Sequence, residues 1–269
     1  MNTRLHVLEL DLPLRQTTVT DMLALLDDPA ADIRRIGQRI STEPVLAARV
    51  LTLANSPFYG RRNSVLDLPA AVMTVGQMSV RALVLALAVD AILSDDLGLG
   101  ECWWDDCLRT GATAASLAPH LAADSGTAFC AGLLADIGQL AIAVSAPAEW
   151  AALQASRNGG DDVDPRAALD AEVELFGIDH ARLGARILDD LGLPMVLTDA
   201  VAGHHDGRSV RVGGLDQAVF IAAEIVAAQR HGRDLDTVLS DHDLGTLDDQ
   251  ELQEEIEAQI ATLRAAFGV

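Results

Sequence analysis

Apolar positions along this chain recur at helical spacing. In STEPVLAARVLTLANS, Leu46, Val50, Leu53 and Ala54 form one apolar stripe. Pro44 sits in the first turn, with Thr42 or Glu43 as the cap, and Ser56-Pro57 stops the helix, because the residue before a proline is pushed out of the helical region. Pro69 opens a second helix that pauses at Gly76 and resumes through the almost wholly apolar VRALVLALAVDAIL. SDDLGLGE, 94–101, is a loop. A long Ala-rich helix is expected from about Trp103 to Ala122, and one apolar helix from Ala128 to Val144.

The stretch QASRNGGDDVD, 154–164, is the clearest loop and a seam between two halves. Asp164-Pro165 then starts a helix that Gly177 stops, Asp179 caps the next, and Gly192 ends it. Pro194 opens a helix running to His204-His205, DGRSVRVGG (206–214) is a loop, and Asp216 to His231 is amphipathic. At the C-terminal end, Leu252, Ile256, Ile260, Leu263 and Phe267 repeat at steps of three or four. Acidic Asp248, Asp249 and Glu251 lie at the start of that helix and Arg264 near its end, both favourable to its dipole. No stretch alternates cleanly in the manner of a half-buried strand. The expected fold is all-α, a multi-helix bundle.

Composition adds the character of the core. Half of the 269 residues are hydrophobic but only 3% are aromatic, so Ala, Leu, Val and Ile must fill the interior. The 19 basic residues, every one an arginine, stand against 40 acidic ones, a formal net charge of −21. Nucleic-acid binding is excluded by that balance, since phosphate backbones are gripped by Arg and Lys clusters. Cys102, Cys107 and Cys130 are too few and too irregular for a disulfide framework or a zinc knuckle and read as buried thiols of a reducing compartment. The N-terminus lacks a signal-peptide core, and the longest apolar run, Ala82 to Leu93, is broken by Asp90 and too short for a bilayer. A cytoplasmic location, with no membrane partner, is expected.

Several blocks together carry a family resemblance. LPLRQTTVTDMLALLDDPAADIRRIGQRISTEPVLAARVLTLANSPFYG, Leu68 to Leu85, WWDDCLRTGATAASLA, AGLLADIGQL, GIDHARLGARILDDLGLP and AVAGHH stand in this order. The series resembles HDOD domains, regulatory relatives of the HD and HD-GYP phosphohydrolases of bacterial signalling. The likeness spans roughly 12–230, with Glu43 where an Asp is usual, and leaves 231–269 as a C-terminal helical extension packed on the same unit.

The resemblance also implies a chemistry and its loss. HD enzymes hold divalent metals through a His, a His-Asp pair and a later Asp, and the ion makes a bound water acidic enough to attack a phosphate ester. At the pair this chain reads Ala135-Asp136, and a methyl group cannot ligate. The first His falls on Asp106 and the final Asp on Glu224, so Asp106, Ala135, Asp136 and Glu224 form a degenerate centre. His180, His204 and His205 stand where HD-GYP relatives carry ligands, and with Asp136 they are the alternative, a reduced site for one divalent metal. The competing reading is structural, with His180 in the first turn of an Asp179-capped helix and His204 and His205 closing the end of theirs. Arg81 and Arg109 are the expected partners of Asp136 and Asp90.

Outside the centre, Asn55-Ser56 is expected to hold the following loop by side-chain-to-backbone bonds. Arg61, Arg62 and Trp104 are the candidates for contact with a ligand or partner, with one ring of Trp103-Trp104 in the core and the other half-exposed. DLGLGE lacks the strand-then-helix context of a nucleotide loop. The function expected is a non-catalytic adaptor without cofactor. The family points to partners in trans: a kinase, a receiver or a cyclic-di-GMP enzyme. A homodimer, a metal-dependent phosphohydrolase and a cyclic-dinucleotide sensor stay open as alternatives.

Overall fold

The computed structural model describes residues 17–56, 59, 65–90, 99, 103–157, 165–207, 213–230 and 232–267. Among them every regular element is helical: α1 Thr17–Asp27, α2 Ile33–Ser41, α3 Pro44–Ala54, α4 Leu68–Asp90, α5 Trp103–Leu117, α6 Ser125–Leu133, α7 Ile137–Ser145, α8 Pro147–Arg157, α9 Pro165–Phe176, α10 His180–Asp190, α11 Met195–Gly203, α12 Leu215–Arg230, α13 Leu235–Asp241 and α14 Asp249–Phe267. A 3-10 turn, Ala118–Leu121, follows α5. The expected all-α class holds.

Helix boundaries follow local chemistry. Asp32, Asp124 and Asp179 each accept the N–H three residues on, capping α2, α6 and α10. Gly76, at φ +80°, breaks α4 into two arms, and Gly177 and Gly192 adopt the left-handed conformation at the ends of α9 and α10. Asn55 holds the chain after α3 as expected: its amide donates to the carbonyls of Leu51 and Val65 at 2.9 Å, and its oxygen accepts from Val65 N–H at 3.0 Å. The short helices α8 and α13 were not legible in the pattern.

The largest departure from the sequence pattern lies in the middle of the chain. The run expected as one helix from Ala128 to Val144 is two, α6 and α7, with a turn over 134–136 between them. Side-chain periodicity gives no hint of this break, because nearly every position around it is buried, with Asp136 and Gln139 only partly exposed. Packing accounts for it. A Cβ on Gly132 would stand 2.7 Å from the Thr110 carbonyl, and one on Gly138 1.9 Å from the His180 carbonyl. So α6 meets α5 and α7 meets α10 in backbone contact, and the turn over 134–136 lies between the two close approaches.

The core is continuous. Helix α5 lies at its centre against α6, with α12 and α14 flanking it, and α4 carries α1, α2 and α3 on its other face. Small side chains such as Ala112, Ala114, Ala115, Ala128 and Ala131 line the contact between α5 and α6, so the backbones approach closely with few aromatic rings. Helix α14 docks on α5 through Leu252, Ile256, Ile260 and Leu263, and its rim is ionic: Arg109 donates to Asp105 and Glu257 at 2.8 Å each. Two helical stretches, 68–88 and 125–145, are long and apolar enough to cross a bilayer, which the reading of Ala82–Leu93 alone did not count. They are 61% and 78% buried within the fold, where a core helix passes the same test.

Candidate functional site

The turn between α6 and α7 places Asp136 beside the first residue of α10 and the last turn of α11. Its Oδ1 faces Nε2 of His180 at 3.3 Å and Nε2 of His204 at 3.6 Å, and it accepts from Gln139 Nε2 at 2.6 Å. The three imidazoles pack on one another, with ring centroids 4.0 Å apart for His204–His205, 5.3 Å for His180–His204 and 5.2 Å for His180–His205. One donor atom from each of Asp136, His180, His204 and His205 lies within 4.8 Å of the others. The structure therefore assembles the reduced set. Gly138 is what permits it, since any side chain there would push α7 off the His180 backbone.

Both buried imidazoles are oriented from behind. Glu172 of α9, wholly buried, presents one oxygen, Oε2, to the backbone N–H of His180 at 2.8 Å and to its Nδ1 at 2.7 Å. His204 Nδ1 donates to the Val201 carbonyl at 2.7 Å, which places its proton there because a carbonyl only accepts. Each ring thus turns Nε2 toward Asp136, and neither Nε2 has a hydrogen-bond partner among the described residues. His204 is also the C-cap of α11, and Asp179 caps α10, so the structural role expected of these residues is met as well.

Charge follows geometry. Burial pulls His180 down, but the Glu172 and Asp136 carboxylates outweigh it and push its pKa up to about 10. Burial raises Asp136, yet His180 and His204 hold it well below the carboxylate's ordinary value. At neutral pH His180 is then a cation between two carboxylates. The thiol of Cys107 is pushed well up by burial and then by the Asp136 charge, so it stays protonated.

The remaining expected residues lie elsewhere. Asp106 is engaged by Arg230 of α12, whose Nε donates to Oδ1 at 3.1 Å, and Glu224 pairs with His242. Neither belongs to the group of ligand atoms around Asp136; Asp106 is paired with Arg230 and Glu224 with His242. Ala135 is buried with its methyl in the core. Arg81 pairs with Asp27 and donates to the Leu191 carbonyl, and Arg109 belongs to the α14 rim, so histidines and Gln139 serve Asp136 instead of the arginines expected. The Asp90 side chain, Cys102, Arg61 and Arg62 lie outside the described residues. Trp103 is core and Trp104 half-buried, with ring centroids 6.1 Å apart, as expected.

Glu172 was missed. Its signal was present: it lies four residues before the buried Phe176, on the inner stripe of α9, where a carboxylate requires a partner.

The model of the HDOD domain matches residues 12–207. The chain belongs to the HDOD family. Its HDOD fold recurs in a protein from Shewanella amazonensis SB2B that carries a provisional phosphohydrolase name, at TM-score 0.68 and 23% identity over 93% of each chain. An HDOD domain protein of unknown function from Geobacter sulfurreducens follows at TM-score 0.62 and 22% identity, covering 93% of this chain and 90% of that one. A protein from Marinobacter aquaeolei VT8, provisionally named for signal transduction, superimposes at TM-score 0.63 and 20% identity over 93% of this chain and 58% of its own. At these identities the likeness is one of fold. An uncharacterized protein of Treponema pallidum (strain Nichols) is 26% identical over 204 residues, 73% of this HDOD chain; the chain spans 38% of that relative's length.

Proposed function

We propose that this HDOD protein is a regulatory domain of bacterial signalling that works by contact with other proteins and does not hydrolyse phosphate esters. The observation that carries the reading is the buried Ala135 methyl where HD enzymes pair a His with the Asp. The neighbouring positions support it, with Asp106 held by Arg230 and Glu224 by His242. A two-ion phosphodiester site needs two ligand sets sharing a carboxylate, and among the described residues one group of four is gathered, Asp136, His180, His204 and His205. The net charge of −21 steers encounter toward basic protein surfaces and away from nucleic acid. Trp104 packs on the core, while Met195 and Met73, 73% and 70% exposed, offer apolar contact. A cytoplasmic location and protein partners complete the proposal.

A second reading has its own support: two buried Nε2 atoms aimed at Asp136 Oδ1, each with its tautomer set from behind. That donor set fits one divalent ion, held by Asp136, His180, His204 and His205, and not two. Such an ion would supply Lewis acidity toward one phosphate or water oxygen. Glu172 and the Val201 carbonyl would hold the imidazoles in the ligating tautomer, and Gln139 would fix the carboxylate.

The two readings separate in one experiment: elemental analysis of the purified protein, followed by turnover of a generic phosphodiester with added Mn²⁺ or Fe²⁺. The regulatory reading expects no turnover, whatever the metal content. Turnover abolished by Asp136→Ala overturns it. One equivalent of metal lost in His180→Ala, without turnover, supports a single-ion site within a regulatory domain.

A further inference from the structure

Helix α9 is anchored in an unusual way. Among its described residues only Glu172 and Phe176 are buried; the outer face, with Val173 and Leu175, stands in solvent. One of its two fully buried side chains is therefore a carboxylate. A buried carboxylate is tolerable only while its partner is in place, and removing that partner leaves an uncompensated charge in the interior. The partner of Glu172 is His180, through both its backbone N–H and Nδ1, and the opposite edge of the same ring faces Asp136 at 3.3 Å. Asp136 in turn is fixed by Gln139. An unbroken line of contacts, Gln139–Asp136–His180–Glu172, runs from α7 through the first residue of α10 into α9.

We infer that α9 is a latch whose docking is set by the Asp136–His180 centre, so that a change at Asp136 is felt as release of a helix that Asp136 does not touch. The line does not depend on what sits between Asp136 and the ring. A proton or an ion at Nε2 leaves the Nδ1 proton directed at Glu172 in either case. What matters is that the ring is held in place between Asp136 and Glu172. Apart from Glu172, the buried hold on this twelve-residue helix is Phe176, with the half-buried Ala171 against the core, a small apolar contact for its length. The consequence is a surface element, bearing Val173 and Leu175, coupled to a buried polar centre. This gives the regulatory reading its moving part and rests on it; turnover tests that reading and helix opening tests the latch, so the two fail separately.

Hydrogen exchange on the full chain reads the coupling. Asp136→Asn is expected to raise exchange of the α9 amides about tenfold or more, while the amides of α5 and α6 keep their wild-type protection. Gln139→Ala, a gentler change at a half-exposed position, should act in the same direction and serves if Asp136→Asn does not fold. Glu172→Met replaces the buried charge by an apolar chain of similar length. In that background Asp136→Asn should alter α9 exchange by less than about twofold, because the line is cut. Unchanged α9 exchange in both Asp136→Asn and Gln139→Ala overturns the inference. So does a rise spread evenly over all helices, or a response as large with Met at 172 as with Glu.

Discussion

A single carboxylate oxygen of Glu172 receives both the backbone N–H and the ring Nδ1 of His180, at 2.8 and 2.7 Å, in the interior of the protein. Backbone capping and side-chain charge thus converge on one pair. The start of α10, the position of α9 and the orientation of the His cluster depend on the same contact.

Truncating His180→Ala removes the imidazole that Glu172 and Asp136 share, though Asp136 keeps Gln139 and His204. Loss of one partner of a buried pair costs about 3–5 kcal/mol. Urea denaturation should show a midpoint lowered accordingly with little change in slope. A loss under about 1 kcal/mol would mean that water reaches Glu172.

The pH dependence has a defined sign. His180 is raised from 6.5 to about 10, so its contribution is complete below about 6.5 and is lost as pH rises toward 10. Asp136 is held well below 3.8, so the same coupling, seen from its other end, is present above 3.8 and lost in acid. Stability should peak between these limits and fall on the alkaline side by a few kcal/mol at the order-of-magnitude level. Cys107 and Cys130, raised by burial above the ordinary thiol value of 9, add an alkaline loss of their own. The difference between wild type and His180→Ala isolates the histidine part, and a difference flat from pH 6 to 10 would contradict it.

Gly138→Ala places a methyl 1.9 Å from the His180 carbonyl, a backbone atom with nowhere to go. Overpacking of this kind costs about 3 kcal/mol or more. The variant should melt well below wild type and lose the near-ultraviolet signal of a fixed core. Gly203→Ala, with open space at the same construction, is the control and should change little.

Ala135→His restores the written HD pair and should still not create a phosphohydrolase. The methyl sits in packed interior, so the imidazole costs about 1–3 kcal/mol, while Asp106 and Glu224 remain tied to Arg230 and His242. Turnover of a phosphodiester above the wild-type background would show that one residue separates this chain from the enzymes.

Much of this was legible in the sequence. Helical periodicity, proline starts, aspartate caps and glycine stops fixed the class and most boundaries, because each acts within a turn or two of chain. Asn55 and the Asp179 cap behaved as local chemistry required. The missing imidazole at Ala135, and Asp136, His180, His204 and His205 as one candidate group, followed from the family resemblance. Which other groups would meet was not legible. The break over 134–136, the pairing of Asp106 with Arg230 and the burial of Glu172 against His180 all join residues distant in sequence or depend on two helices crossing at a glycine. Periodicity reports which face of a helix is inward. It carries no information on which other helix that face meets, and a stretch buried on almost every side hides even its own bend. Tertiary packing alone decided that a buried carboxylate, Glu172, stands behind His180, and that Arg230 and His242 hold Asp106 and Glu224.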